Sequence, residues 1–375
     1  MRISLIGFGT VGQGVAMLLQ KHRELYASRV GETLELSSVL VRDASKKRDI
    51  ELPSGVALTD DVDAFWDIDA DLVVEVAGGV EAGFETAMRS LERGSDLVTA
   101  NKAMIAAKGS EVYAKAESLG RRIGIEATVA GGVPILNMIT TAMAANQIDS
   151  ITGITNGTCH YIIRAMEQGQ TYDEALAKAT EIGFAEADPT LDVSGRDSVE
   201  KLAIMATLAF GGGVNVDEIR CDGITELTPG IVELAQSLGY SVRLVGYAQR
   251  TEKGVGLRNG PMLVPVESTL GRCPAEEMAV EVRADAVSLM TVGGAGAGRF
   301  PTASAVVADV IEVARARFAG GSSAGRLNHW PADAPGLVLD DGSTSRYLID
   351  GESDLSEAMR ASELPLGKLA LPVIE

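Results

Sequence analysis

Residues 183–201, GFAEADPTLDVSGRDSVEK, gather Glu186, Asp188, Asp192, Asp197 and Lys201 around one Pro-Thr turn and the start of a helix. Several carboxylates on one short connection, with a single lysine among them, suit a site that holds the ammonium of an amino-acid substrate beside a group that moves protons. A structural role fits the same spacing. Ser194-x-x-Asp197 has the form of a capping box, and Asp192 or Ser194 could cap the helix. Asp197 and Lys201, four apart, could equally form a surface pair worth about 0.3–0.5 kcal/mol.

A second pattern with chemical content opens the chain. Gly7-x-Gly9-x-x-Gly12 follows an apolar strand, 3–6, and leads into an apolar-periodic helix, Val15 to Leu25. In that context Gly7 permits a tight turn, Gly9 lets a pyrophosphate reach the backbone, and Gly12 lets helix and strand pack closely. The free N–H groups at such a helix start attract phosphate, so a dinucleotide cofactor is expected. Its identity is read where the second strand, Leu34 to Val41, ends. Arg42 stands first there, then Asp43, with Lys46, Lys47 and Arg48 beyond. The basic groups suit the 2′-phosphate of NADP, while Asp43, able to hold a ribose 2′-hydroxyl, leaves NAD open; a solvated basic loop is the plainer alternative. Two more stretches, Thr99-Ala100-Asn101-Lys102 and Glu126 to Gly132, fall at carboxyl ends of strands, where open sheets bind ligands. Lys102 could be an ordinary loop charge and Gly131-Gly132 a hinge.

These residues need elements to carry them. Strands at 3–6, 34–41, 71–76, 96–99 and 122–126 alternate with helices, clearest at 81–93 and 107–119. That alternation predicts an α/β fold with a Rossmann-type, doubly wound parallel sheet. From Pro134 the rhythm changes: helix 134–145, strand 148–154, an Asn-Gly-Thr turn, a helical region 158–183 and a helix 197–210. Helix 231–237 and strands 241–250 and 261–265 follow, which reads as a mixed α+β domain. A second glycine-rich loop, 293–298, precedes a strong helix, 303–318, fit to pack back on the first domain. The expected organisation is a discontinuous nucleotide-binding domain, 1–134 with 296–320, a substrate-binding and dimerisation domain, 135–295, and a tail, 321–375. The tail is poor in apolar periodicity, Asp340-Asp341-Gly342 reads as a hairpin turn, and no internal repeat is found.

Bulk properties set bounds. A chain of 375 residues favours two domains, and 46% hydrophobic residues fit a globular protein. No run of 18 apolar residues offers a membrane span, and MRISLIGFG lacks the features of a signal peptide. Cys159, Cys221 and Cys273 have no metal-ligand spacing, which fits a reducing cytoplasm and speaks against a disulfide framework or structural zinc. A net charge of −19 argues against nucleic acid and anionic membrane as general partners.

From residue 1 to about 319 the chain resembles the homoserine dehydrogenases. The resemblance is carried, in order, by GFGTVGQGV at 7–15, EVAGG at 75–79, TANKA at 99–103, EATVAGGVP at 126–134, NGTCHYI at 156–162, GFAEADPTLDVSGRD at 183–197 and GAGAGRFPTASAV at 294–306. It implies NAD(P)-dependent interconversion of L-homoserine and L-aspartate 4-semialdehyde, on the route to threonine, methionine and isoleucine, by a cytoplasmic homodimer. It places Glu186, Asp192 and Asp197 at the amino-acid site, with Thr158 and Tyr161 beside them. Lys201 and Lys102 become the candidates for catalysis, together with Asp197. Gly7, Gly9, Thr10, Val11, Gly12, Arg42, Gly78, Thr99, Asn101, Lys102 and Gly296 fall to the cofactor. A monovalent cation, usually sodium, would be held mainly by backbone carbonyls at Glu126, Val129, Gly131 and Val133. The residue chemistry agrees, because reducing an aldehyde puts charge on its oxygen, which a nearby cation or proton donor stabilises. Asp197, one turn from Lys201, favours the charged lysine, so Lys201 ranks first as a charge and Lys102 shares or takes the proton role.

The chain departs from the family pattern at several points. His160 stands where asparagine is usual, Phe184 where some relatives have tyrosine, and 266–290 fits poorly, which puts the dimer-forming strands in question. About 55 residues from 321 are too few for the complete regulatory ACT domain of many relatives, although 345–350 (SRYLID) has the look of a remnant strand. No threonine feedback through such a domain is expected. Two other functions compete. Adjacent Cys159 and His160 would permit a thiol-dependent aspartate-semialdehyde dehydrogenase, and a catalytically silent nucleotide-binding regulator would keep the fold without turnover. His22 and His329 read as solvated or structural. If the basic loop reads a phosphate, Arg42→Ala weakens NADP+ while leaving NAD+ similar or better in steady-state kinetics; an equal loss for both cofactors would refute that.

Overall fold

The computed structural model describes residues 1–318, 330–331, 336–339, 344–345, 347–349, 354–356, 359–360 and 369–374. The expected turn at Asp340-Asp341-Gly342 and His329 lie outside them. The chain divides into two compact units, one of residues 1–144, 211–213 and 297–335, the other of 145–210, 214–296 and 336–375.

In the first unit the elements run β1 (Arg2–Ile6), α1 (Thr10–Lys21), α2 (Arg23–Val30), β2 (Glu35–Leu40), β3 (Ala57–Thr59), α3 (Val62–Trp66), β4 (Leu72–Glu75), α4 (Val80–Glu92), β5 (Asp96–Thr99), α5 (Lys102–Ser118), β6 (Ile123–Gly124) and α6 (Ile135–Asn137). All six strands are parallel in the order β3-β2-β1-β4-β5-β6, the expected Rossmann arrangement. β1, β4 and β5 are almost continuously buried, as strands covered on both faces must be. The late helix Arg299–Phe318 lends Val306, Val310 and Val313 to the same core as Ile3, Leu5, Val15 and Leu72. Gly14 makes that packing possible, since a Cβ there would lie 2.9 Å from Ala303 Cβ.

Several boundaries differ from expectation for local reasons. α1 starts at Thr10 because Gly9 is its N-cap, and the chain breaks at His22 before α2. β3 and α3 had no counterpart in the sequence reading, although Asp61 caps α3 by accepting from the Asp63 and Ala64 N–H groups at 2.9 and 3.1 Å. The helix expected over 134–145 is a single turn, α6, running into a π-helical turn, Met138–Ala142. Thr140 Oγ1 donates to Leu136 O at 2.7 Å there, the back-bonding that bends helices.

The second unit begins with β7 (Ile148–Ile154), α7 (Gly157–Met166), α8 (Tyr172–Glu181), α9 (Thr190–Val193), α10 (Arg196–Phe210), β8 (Arg220–Cys221), α11 (Pro229–Ser237), β9 (Tyr240–Arg250), β10 (Val255–Pro265), β11 (Met278–Ala284) and β12 (Ser288–Gly294). Its mixed sheet has the order β12-β11-β7-β9-β10-β8, antiparallel except for β10 with β8. The expected helical region 158–183 is split: Gly169, at φ 92°, turns the chain, and Thr171 with Glu174 forms a capping box that starts α8. The questioned strands of 266–290 are present as β11 and β12, and β12 is a sheet edge.

The described tail residues form β13 (Thr344–Ser345), β14 (Tyr347–Ile349), β15 (Met359–Arg360) and β16 (Ala370–Pro372), paired β13 with β15 and β14 with β16. They finish the second unit. Val373 bridges to Leu263 of β10, and Leu348, Leu371 and Val373 join the core of Ile162, Val232 and Leu244. Leu371 is 1% exposed, so Leu371→Ala should cost about 2–5 kcal/mol in denaturant unfolding, as in any core. A loss below about 0.5 kcal/mol, the usual range for surface changes, would show that the tail is not part of this core.

Candidate active site

The cofactor pattern occupies the end of β1. Gly7 has φ 96°, and a Cβ there would lie 2.8 Å from Ala77 N in the loop after β4. A Cβ on Gly12 would collide with Gly7 O, whereas nothing stands within 4 Å of Gly9. Two glycines are therefore demanded by packing, and the third leaves the start of α1, at Thr10 and Val11, open to an approaching phosphate. β1 and β4 flank the point where strand order reverses, which is where such sheets take ligands.

Glu75, the last residue of β4 and 1% exposed, organises this region and was missed as a functional residue in the sequence. Its Oε1 accepts from the Ala77 and Gly78 N–H groups at 2.9 and 3.0 Å, and its Oε2 accepts from Thr99 Oγ1 at 2.7 Å. Asn101 accepts from Met104 N–H to cap α5 and donates from Nδ2 to Gly79 O at 2.8 Å. Gly78 and Gly79, both at positive φ, lie between these anchors. Lys102, half-buried, is the first residue of α5. In the basic loop Arg42 and Asp43 are both exposed, and Asp43 accepts from Ser45 N–H and Oγ at 2.9 and 2.6 Å. Arg48 donates to Asp43 O at 2.7 Å and so serves the loop itself.

After β6, Glu126 is 2% exposed and its carboxylate accepts from Leu136 N–H, Asn137 N–H and Asn137 Nδ2 at 2.7–2.9 Å. Burial still pushes its carboxyl up to about 7. Beyond it the loop carries Ala130 at φ 52° and Gly131 at φ 51°, Ala130 being one of two non-glycine residues in the left-handed region among those described. Glu126 O accepts from Val129 N–H and Val133 O from Ile135 N–H.

In the second unit Lys201 is turned inward. Its Nζ donates to Thr155 O at 2.6 Å and to Asp197 Oδ2 at 2.8 Å, with side chains only 11% and 14% exposed for lysine and aspartate. The surface-pair alternative therefore falls. The capping alternative is weak, because the Ser194 hydroxyl points back to Leu191 O at 3.4 Å. Asn156 joins the cluster, although in the sequence it is only the first residue of the Asn-Gly-Thr turn and of the NGTCHYI run. Its Nδ2 donates to Asp192 Oδ1 at 2.7 Å and Asp197 Oδ2 at 2.8 Å, while its Oδ1 accepts from Cys159 N–H. Two carboxylates and one ammonium leave an excess of negative charge, suited to a further cation. Of the other expected residues, Thr158 is buried and donates to Phe184 O at 2.9 Å, and Tyr161 stacks on Phe184 at 5.2 Å. Glu186 is exposed and Asp188 closes its own turn on Thr190. Gly296 is buried against Met278 of β11, where a Cβ would collide with the thioether.

Nothing here makes a thiolate nucleophile. Cys159 Sγ donates to Asp192 O at 3.1 Å, and burial, with Asp192 and Asp197 beside it, raises the thiol well above its usual range. His160 turns elsewhere, its Nε2 donating to Pro274 O at 2.8 Å, and burial and then Arg243 hold its imidazole at about 4.

The family profile described as homoserine dehydrogenase matches residues 134–311, and that described as homoserine dehydrogenase, NAD binding domain, matches 7–126. Homoserine dehydrogenase of Pseudomonas aeruginosa is 40% identical over 317 residues, 84% of this chain and 72% of its own. That of Corynebacterium glutamicum is 38% identical over 356 residues, 93% of this chain and 79% of its own. The crystal structure of a homoserine dehydrogenase from Thiobacillus denitrificans superposes with a TM-score of 0.88 at 35% identity, covering 93% of this chain and 82% of that one.

Proposed function

The chain belongs to the homoserine dehydrogenase family, an NAD(P)-dependent oxidoreductase of amino-acid biosynthesis, and we propose that Lys201, Asp197 and Lys102 carry its chemistry. The observation that carries this reading is the buried Lys201 ammonium, held between Asp197 and Thr155 O beside Asp192. The nicotinamide cofactor, when bound, would supply hydride to the semialdehyde carbonyl carbon or take it from the carbinol carbon of homoserine. As the carbonyl oxygen gains charge, the fixed Lys201 ammonium stabilises it, and Asp197, accepting from Nζ at 2.8 Å, holds that ammonium in place. Lys102 is assigned the share of proton transfer that a strongly paired lysine cannot provide. Asp192 and Asp197, with Glu186, receive the substrate ammonium, and Thr158 and Tyr161 border that site.

Gly7, Gly9, Thr10, Val11, Gly12, Gly78, Thr99, Asn101 and Gly296 are assigned to the cofactor. NADP is favoured over NAD because the Asp43 carboxylate is engaged within its own loop while Arg42 is exposed. The cation is assigned to the carbonyls of Glu126, Val129, Gly131 and Val133; the left-handed Ala130 supports it, since a non-glycine residue held there carries strain that clusters at functional sites. There the cation would supply charge compensation beside the buried Glu126. A cytoplasmic homodimer completes the reading. Among the described residues β12 is an edge strand, with Leu289 39% exposed and Val287 44% exposed just before it, and it would offer that edge to a second copy. No helix among the described residues is long and apolar enough to cross a membrane.

Lys201→Ala should lower kcat about 10²–10⁴-fold, the range for a group acting in proton transfer or charge stabilisation, while leaving NADP+ binding near normal by fluorescence titration. Near-normal turnover in that variant would reject the assignment.

A further inference from the structure

We propose that Asn156 is a positioning residue that holds the carboxylates of the two aspartates of the substrate site side by side; this rests on the reading of Asp192, Asp197 and Lys201 given above. Asp192 comes from α9 and Asp197 from α10, so nothing in the backbone of either helix requires their carboxylates to meet. They meet on one amide. Each Nδ2 hydrogen has its own acceptor, Asp192 Oδ1 at 2.7 Å and Asp197 Oδ2 at 2.8 Å. The amide cannot turn over, because its Oδ1 accepts from Cys159 N–H at 2.8 Å as the N-cap of α7.

The residue is placed for this by the end of β7. Thr155, its neighbour, gives its carbonyl to Lys201 Nζ at 2.6 Å, so one dipeptide anchors both the lysine and the aspartates. Asp197 Oδ2 in turn accepts from Asn156 and Lys201 together. A neutral donor is what the arrangement needs. An amide draws two like charges together without cancelling either, whereas a second cation would neutralise the site and repel the substrate ammonium. The titratable groups facing it are Asp192, Asp197 and Lys201, with Cys159 on α7 itself.

Two variants separate this role from helix capping. Asn156→Ser keeps an N-cap acceptor and replaces the two amide donors by a single hydroxyl on a shorter side chain, which cannot bridge both aspartates; Asn156→Asp keeps the cap and adds a third carboxylate. In the full-length enzyme, Asn156→Ser should lower kcat/KM for homoserine at least tenfold while KM for NADP+ stays within twofold and the thermal midpoint stays close to that of the parent. Asn156→Asp should lose more at neutral pH, and its activity relative to the parent should recover as pH falls, because a protonated carboxyl is again a donor. Parent-like kcat/KM in Asn156→Ser would overturn the proposal. So would equal losses in both variants that do not change with pH and follow a fall in midpoint, the mark of capping alone. Lys201→Ala measured alongside separates the two claims. If it keeps turnover, the site assignment fails; if it loses turnover while Asn156→Ser does not, only the role of Asn156 fails.

Discussion

A lysine ammonium taken almost out of water has to be met by fixed partners, and much of the second unit can be understood as meeting that requirement. Leaving one partner of a buried pair alone costs about 3–5 kcal/mol, so the position of Lys201 constrains everything around it. Thr155 O and Asp197 Oδ2 are its partners at 2.6 and 2.8 Å. Thr155 is held where β7 ends, and β7 lies inside the sheet between β11 and β9. Asp197 and Lys201 sit on successive turns of α10, whose Leu202 packs over Gly246 of β9. The start of α10 is tied down as well: Gly195, at φ 82°, gives its carbonyl to Asn259 Nδ2 of β10 at 3.2 Å. A side chain at Gly195 would press on that amide and on Cys221, so the turn has room for glycine alone.

The first unit solves a different problem with backbone in place of charge. Its anionic cofactor meets a protein carrying a net charge of −19, so attraction has to be local. On the proposed reading the open start of α1 would provide it, and Glu75 keeps the neighbouring loop in place through two backbone N–H groups and the Thr99 hydroxyl. That carboxylate faces its own loop, satisfied by three donors, which is how an acid can border an anion-binding crevice.

Strong periodicity made most of this architecture legible in the sequence. β5 and β7 have the expected bounds, and the glycine pattern sits at the turn after β1. What escaped depends on side chains meeting across long separations. Asn156 reads as part of an Asn-Gly-Thr turn, and its bonds to Asp192 and Asp197 span 36 and 41 residues, invisible to any local rule. Glu75 likewise reads as the polar end of a buried strand. The π turn after α6 escaped because apolar periodicity gives no sign of a back-bonding threonine, whereas the break at Gly169 was signalled by the glycine and by the Thr171-x-x-Glu174 capping box that follows it. The tail, which reads as too short for a complete ACT domain, supplies Leu348 and Leu371 to the core of the second unit; its described strands pair two by two, and an isolated two-stranded ribbon is marginally stable at best.

The central claim is that the Lys201–Asp197 pair, with Asp192 beside it, is built to receive a protonated amino acid. Calorimetric titration of homoserine into the enzyme saturated with NADP+, comparing the parent with Asp197→Asn, addresses it most directly. The account predicts homoserine affinity at least a hundredfold weaker in the variant, with NADP+ affinity unchanged. Equal homoserine affinity in the two proteins would contradict it.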